Sequence, residues 1–263
     1  MLTMEQILAI AEAHATRRPA TSPTHARHRV RLEAARRIEH GSRYVEVLFE
    51  APSRLMPSHR HPAQYITMGI AGAVEPRYLV LANAPSEPVW RCLISKDSTL
   101  GSAICDFQGS DEAFGDMLLV SEAEGSGFAV MRAVEQEAPL VLLTTGSGVA
   151  TMHSVLRWLE IEHPHTLSST SIFYGEQNEQ ALAYARDLTR FAQRGVEVTM
   201  AYEAPLQEDY PWQYVQQPLL QTADEALFDE GVFLLSGAKP MLRFATHALL
   251  ERGVDEDRIL LNV

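Results

Sequence analysis

Residues 139–158 read PLVLLTTGSGVATMHSVLRW. The apolar run from Leu140 to Leu143 has the length and composition of a strand buried on both faces. It breaks at Thr144-Thr145-Gly146-Ser147-Gly148, and residues 150–159 then carry a helical pattern. A strand that turns into a helix through glycines is a place to hold phosphate. Glycines let the backbone approach the ligand, and the free N–H groups of the first helical turn face the anion. Such a loop also serves as a plain connection, so by itself it leaves both readings open.

Downstream the rhythm repeats. Strands are expected at 170–174, 196–202, 232–236 and 259–263, with helices at 178–194, 214–221 and 239–252. Strand–helix alternation predicts a parallel sheet with helices on both faces. Upstream the pattern is different. Short β runs fall at 29–38, 44–49, 65–68, 78–82, 89–95 and 117–120, separated by turn clusters, with a lone helical turn at 102–107. Many short strands at close spacing predict an antiparallel barrel or sandwich. The charged stretch MRAVEQEA at 131–138 marks the junction. The expected organisation is an N-terminal helix and arm (1–28), an antiparallel β-barrel (29–134) and a parallel α/β domain (135–263). Within the arm, residues 17–29 (RRPATSPTHARHR) are basic and rich in Pro, Ser and Thr, and read as a linker, a partner-binding arm or a solvated tail.

Composition narrows the function. A net charge of −12 argues against nucleic acid as a partner, because phosphate-backbone binding needs clustered Lys and Arg. No run approaches the roughly 18 apolar residues of a membrane span, and the first residues, MLTMEQILAIAEAH, are acidic and amphipathic rather than basic then apolar. Two cysteines give no disulfide framework, zinc spacing or iron–sulfur ligation. A cytoplasmic location is the expectation. No metal is expected: His59, Arg60 and His61 hold two histidines at i, i+2 without a third ligand, and read more readily as a polar loop. GSG at 146–148 is not a nucleophile elbow.

A β-barrel followed by a nucleotide-binding α/β domain is a specific order, and from Arg29 to Val263 the chain resembles the ferredoxin–NADP reductase superfamily. TTGSGVATMHSVLRWL is similar to its pyrophosphate loop and helix, and SIFYGEQNEQALAYARDL to its second strand and helix. VFLLSGAKPMLRFATHALLERGV resembles the C-G-P-x-x-M segment and ILLNV the closing strand. In the barrel, HPAQYITM resembles the P-G-Q-Y-V strand, and FGDMLLVSEAEGSGF the G-D-x-V-x-V…G-x-G-F run. The T-G-S-G loop and N-V ending look closest to the plant fruit-protein-like branch. The resemblance implies FAD, with FMN the alternative, in the barrel, and NADH or NADPH on the α/β domain. In that family a hydride passes between nicotinamide and flavin and electrons continue to a partner protein or small acceptor.

The implied site residues follow position by position. Thr145, Gly146, Ser147, Gly148 and Val149 would hold the dinucleotide pyrophosphate, and Gly175 and Gln177 would lie near its adenosine. Ser236, Gly237 and Met241 would lie beside the nicotinamide, Ser236 standing where the family has its cysteine. The flavin pattern R-x-Y-S-x-x-S falls on Arg77, Leu79, Val80 and Asn83. Arg77 would hold flavin phosphate and Asn83 would donate to a phosphate or ring oxygen, while Leu79 and Val80 replace the stacking tyrosine and the hydroxyl near N5. Gly125, Ser126, Gly127 and Phe128 sit where relatives bind the flavin's phosphate end. Val263 ends the chain where many relatives place an aromatic. Gln177 replaces an arginine that pairs with a 2′-phosphate, and Glu176 before it is a carboxylate that could bond a ribose hydroxyl, which tilts the expectation towards NADH; Arg186 and Arg190 could reach back. Lys96 and Arg91 could face flavin phosphate or solvent. Two functions remain open: a flavin-dependent NAD(P)H oxidoreductase or electron-transfer subunit, and a non-catalytic nucleotide-binding or partner-docking module that has weakened or lost its flavin.

Overall fold

The computed structural model describes residues 29–207, 211, 213–221 and 225–262. The expected N-terminal helix and arm, and Val263, lie outside the described residues. The first part of the chain forms two antiparallel sheets. One runs β1-β7-β4-β5, built from Val30–Arg31 (β1), Leu118–Val120 (β7), Tyr65–Ile70 (β4) and Val74–Val80 (β5). The other runs β2-β3-β6, built from Arg36–His40 (β2), Tyr44–Glu50 (β3) and Val89–Ser95 (β6). A bridge between Leu81 and Cys92 carries β5 onto β6 and joins the two sheets. Alternate residues of the strands, among them Val45, Val47, Phe49, Ile66, Met68, Cys92 and Ile94, meet in one buried core.

Three expectations change here. The single strand over 29–38 is interrupted, because Leu32 and Ala35 turn into the core between β1 and β2. The lone helical turn is a full helix, Thr99–Asp106 (α1), and a second helix, Asp111–Met117 (α2), follows it. Both are started by serine caps: Ser98 accepts from the N–H of Gly101, and Ser110 from that of Ala113. The charged junction is itself a short helix, Met131–Glu135 (α3), whose Ala133 and Val134 are buried.

The second part is a five-stranded sheet in the order β10-β9-β8-β11-β12, every neighbour parallel. Its strands are Leu140–Thr145 (β8), Thr170–Glu176 (β9), Glu197–Tyr202 (β10), Val232–Ser236 (β11) and Ile259–Asn262 (β12). Strand β8 is buried on both faces, as its composition predicts. Leu140 and Leu142 pack with helices Val149–Glu162 (α4) and Ala185–Gln193 (α5). Val141 and Leu143 face the opposite core, with Gln216–Gln221 (α6), Ala226–Glu230 (α7) and Lys239–Glu251 (α8). The helix expected over 178–194 is broken. Tyr184 sits in the left-handed region at φ 56°, and α5 begins only after it.

The two parts share a core. Tyr44, Ala63, Ala82, Leu93 and Phe128 of the antiparallel sheets join the apolar cluster of α4 and α5. Strand β3 is therefore buried on both faces: Val45, Val47 and Phe49 fill the first core, while Tyr44 and Glu46 face the α/β sheet. Among the described residues no helix is long and apolar enough to cross a membrane.

Candidate functional site

In a parallel sheet, ligands bind outside the C-terminal strand ends where the strand order reverses. Here successive strands run β8, β9, β10 to one side and β11, β12 to the other, so the crevice opens between the ends of β8 and β11. The residues 144–149 and 236–238 meet there. Gly146 has φ +59° and Gly237 φ +143°, both backbone states that disfavour side chains. A Cβ on Gly237 would lie 2.3 Å from Thr145 Oγ1, and one on Gly148 would lie 2.7 Å from the Ser236 carbonyl oxygen. Thr145 Oγ1 in turn accepts from the N–H of Ala238 at 3.0 Å. The two strand ends are thus clasped backbone to backbone, with α4 starting at the rim and Ser147 exposed upon it. Such a helix start favours an anion. Val149 contributes only backbone to this rim, since its side chain is in the core. Ser236 lies beneath it: its hydroxyl donates to Thr151 Oγ1 at 3.1 Å, and Asn262 donates to the same oxygen at 3.2 Å. Met241 does not join the site. It packs under the sheet with Val141, Leu143 and Leu235, because α8 turns that face inward.

Beside the crevice a cavity of about 430 Å³ lies between β5, β6, the start of α1 and Ser147, a size in the range of small-molecule and cofactor clefts. Leu79, Leu93 and Ile94 supply an apolar wall; Arg77, Ser98 and Thr99 supply a cation and the capped N-terminus of α1; Asp97 adds a carboxylate. Arg77 is exposed and makes no hydrogen bond or ion pair among the described residues. These residues fit the phosphate end of a flavin and one face of its ring. The start of α1 was not among the sequence candidates. Its signal was the Asp97-Ser98 turn followed by Gly101, where a Cβ would lie 2.0 Å from the Ser95 carbonyl oxygen, so only glycine lets the helix start press onto β6.

The remaining flavin candidates separate. Val80 packs against the shared core instead of lining the cavity, because neighbours in a strand face opposite ways. Asn83 is fully buried and its amide is used internally, accepting from the N–H of Arg91 and donating to the Ala84 carbonyl, so it pins the β5–β6 connection. Gly125, Ser126, Gly127 and Phe128 do not line the cavity. Gly125 makes room for the ring of Tyr65, Gly127 for the Pro62 carbonyl, and Phe128 is in the shared core. Arg91 and Lys96 are also taken: Arg91 pairs with Glu46 at 2.8 Å and Lys96 with Glu39 at 3.0 Å. Arg190 pairs with Glu160 and Asp187, while Arg186 is exposed. His59 lies in the loop before β4. It is buried edge-on against Trp90, and burial lowers its pKa to about 4, ahead of the opposing pull of Glu87. Among the described residues no group of three or more His, Cys, Asp or Glu is placed to hold a metal ion.

At the end of β9, Gly175 leaves the space that Val215 fills, 2.8 Å from where a Cβ would stand, and Gln177 is exposed. Glu176 is not available to a ribose. It is buried, accepts from the hydroxyls of Tyr44 and Tyr174, and pairs with Arg43 at 3.1 Å. Sequence reading missed this contact because Tyr44 and Arg43 are 132 and 133 positions away from Glu176. A second buried carboxylate mirrors it. Glu46 accepts from Arg91, from His40 Nε2 and, at 2.7 Å, from the hydroxyl of Tyr184. Each part of the chain therefore buries a carboxylate that the other part bonds.

Residues 142–247 match the family model of the oxidoreductase NAD-binding domain. No curated protein matches the chain. Among solved structures, the chain is similar to the flavohem-like FAD/NAD-binding domain of nitric oxide dioxygenase from Vibrio cholerae O1 biovar El Tor, at 20% identity and TM-score 0.68 over 89% of this chain and 99% of that one. It is similar to an Amycolatopsis cytochrome P450 reductase at 15% identity and TM-score 0.75, over 89% and 69%. It is also similar to the ferredoxin–NADP+ reductase of Plasmodium falciparum at 14% identity and TM-score 0.70, over 89% and 96%. The chain thus has the two-part fold of the ferredoxin–NADP reductase-like structures, and its second part carries the match to the oxidoreductase NAD-binding domain.

Proposed function

We propose that the protein is a flavin-dependent NAD(P)H oxidoreductase, or the electron-transfer subunit of one. The observation that carries this is the position of Ser147, which stands on the rim of the switch-point crevice and also lines the Arg77 cavity. A dinucleotide on the glycine loop and a flavin in the cavity would meet there. Gly146, Ser147 and Gly148 bind the pyrophosphate through backbone and helix start, and Ser236 and Gly237 border the nicotinamide. Arg77 and the start of α1 anchor flavin phosphate, and Leu79 and Leu93 cover a ring face and exclude water. The bound flavin, FAD or FMN, supplies the hydride-accepting chemistry. A protein partner or a small acceptor would take the electrons onward. The presence of a cytochrome P450 reductase among the similar structures supports a protein partner.

The test is the visible spectrum of the purified protein. Flavin absorption that bleaches on adding NADH or NADPH is expected, whereas a colourless protein that takes up neither FAD nor FMN on titration would overturn the oxidoreductase reading.

A second reading has its own support. Val80 gives no hydroxyl at the cavity and Asn83 is used internally, so two usual flavin contacts are missing. A nucleotide-binding module without flavin would bind the dinucleotide and stay colourless in the same experiment. The coenzyme preference for NADH now rests on Gln177 alone, since Glu176 is committed elsewhere.

A further inference from the structure

The sequence places no cation at the end of β9, where Gln177 stands in the arginine position of the resembled family. The fold brings one from the other half of the chain. Arg43, at the head of β3, extends over the ring of Tyr44, with the guanidinium carbon 5.6 Å from its centroid. One nitrogen, Nη1, donates to Glu176 Oε2 at 3.1 Å, and that same oxygen accepts from the N–H of Gln177 at 2.9 Å. The hydroxyl of Tyr44, which also donates to Glu176, stands 3.4 Å from where a Cβ on Gly146 would be. Arg43 is therefore held at the end of β9, and its neighbour Tyr44 reaches the glycine loop. Its side chain keeps 37% of its exposure, while the carboxylate it touches has none. Among the described residues the guanidinium makes no other hydrogen bond, and the Asp97 carboxylate acts on it besides Glu176.

We propose that Arg43 is a phosphate-binding residue of the dinucleotide site, contributed across the junction by the antiparallel half and aimed by Glu176. This rests on the dinucleotide reading above and adds to it a ligand on the other side of the crevice. A planar fork suits such a division: one edge is fixed by a buried carboxylate, and the other presents donors in the geometry of a phosphate. The phosphate is either the bridging pyrophosphate or a 2′-phosphate, since both lie along the ends of β8 and β9.

The test is calorimetric titration of NADH and NADPH into the wild type, Arg43→Gln and the double variant Arg43→Gln/Glu176→Gln, each with its melting temperature. Losing one charge-assisted contact weakens binding about tenfold or more. Arg43→Gln is expected to show that loss, for NADH and NADPH alike if the pyrophosphate is the target and for NADPH alone if it is the 2′-phosphate. The double variant strands no buried carboxylate and is expected to bind as weakly as the single one. Unchanged affinity in Arg43→Gln, or recovery to wild-type affinity in the double variant, would overturn the proposal; recovery would mean that Arg43 only neutralises Glu176. A wild type that binds neither dinucleotide would instead sink the dinucleotide reading itself.

Discussion

Gly148→Val is expected to abolish dinucleotide binding. The reason is contact rather than flexibility. A Cβ at this position would stand 2.7 Å from the Ser236 carbonyl oxygen and 2.9 Å from Thr144 Oγ1, and the first of these is backbone in a central strand. Valine would push the loop away from β11 and open the clasp that aligns the start of α4 with Gly237. Overpacking of this kind also costs about 1–3 kcal/mol of stability, so a lowered melting temperature accompanies the lost binding. Ser147→Asp separates the two effects. Ser147 is exposed, and a carboxylate near a helix start is favourable to the helix, so the fold should melt at the wild-type temperature. Its charge opposes a pyrophosphate at the same rim, and binding is expected to weaken about tenfold or more at low salt. Calorimetry with NADH on both variants checks the pair. Wild-type affinity in either would refute the placement of the pyrophosphate on this loop.

Acid should unlock the junction through Glu46. Its carboxyl is fully buried, and burial alone would raise its pKa. The hydrogen bonds from His40 and Arg91, the Arg91 charge and the Tyr184 hydroxyl outweigh that and hold it at about 2, from an ordinary 4.5. The folded pKa is depressed, so the stabilisation is fully present above the unfolded pKa and is lost as pH falls from about 4.5 towards 2. The size of the shift corresponds to roughly 3 kcal/mol. Asp187 shifts in the same direction, led by its hydrogen bond to His153, and adds to the acid sensitivity. Glu46→Gln is expected to lower stability at pH 7 by about 3–5 kcal/mol, because it leaves the Arg91 guanidinium without its countercharge. It should also flatten the pH dependence between about 4.5 and 2. Urea unfolding of both proteins across this range is the measurement; a wild-type slope retained in Glu46→Gln would place the acid sensitivity elsewhere.

Both predictions depend on a junction that only partly shows in the sequence. Strand β8 and its glycine loop were legible because their signals are local: a continuous apolar run, then glycines, then a helical pattern. The order of elements in the α/β half was legible for the same reason. Strand β3 was half legible. The run at 44–49 was read as a strand, and in the fold Val45, Val47 and Phe49 fill a core, but nothing local marks the fate of Glu46 on the other face. In the fold Glu46 is buried because a second layer covers that face and brings Tyr184 to it. The same covering explains the break at Tyr184. A helical pattern runs through the residue, yet the bond from its hydroxyl to Glu46 and the stacking of His153 at 4.1 Å accompany a left-handed backbone there. The helix starts α1 and α2 were written in their serine caps, but the turn clusters around them mask so short a signal.

By itself, then, the sequence determined the succession of an antiparallel half and a parallel α/β half, and it located the glycine loop at 144–149. Strand period, glycine and cap chemistry act over a few residues, and that suffices to write them into a linear pattern. Tertiary structure alone decided which polar candidates are bonded within the protein and which border a cavity. It took Asn83, Arg91 and Met241 out of the candidate site, committed Glu176 to Arg43 and Tyr44, and set Arg77 and Ser147 on one cavity. Those assignments depend on partners more than a hundred positions away for Glu176, and a buried charge or amide is fixed by whichever partner the fold places within bonding distance.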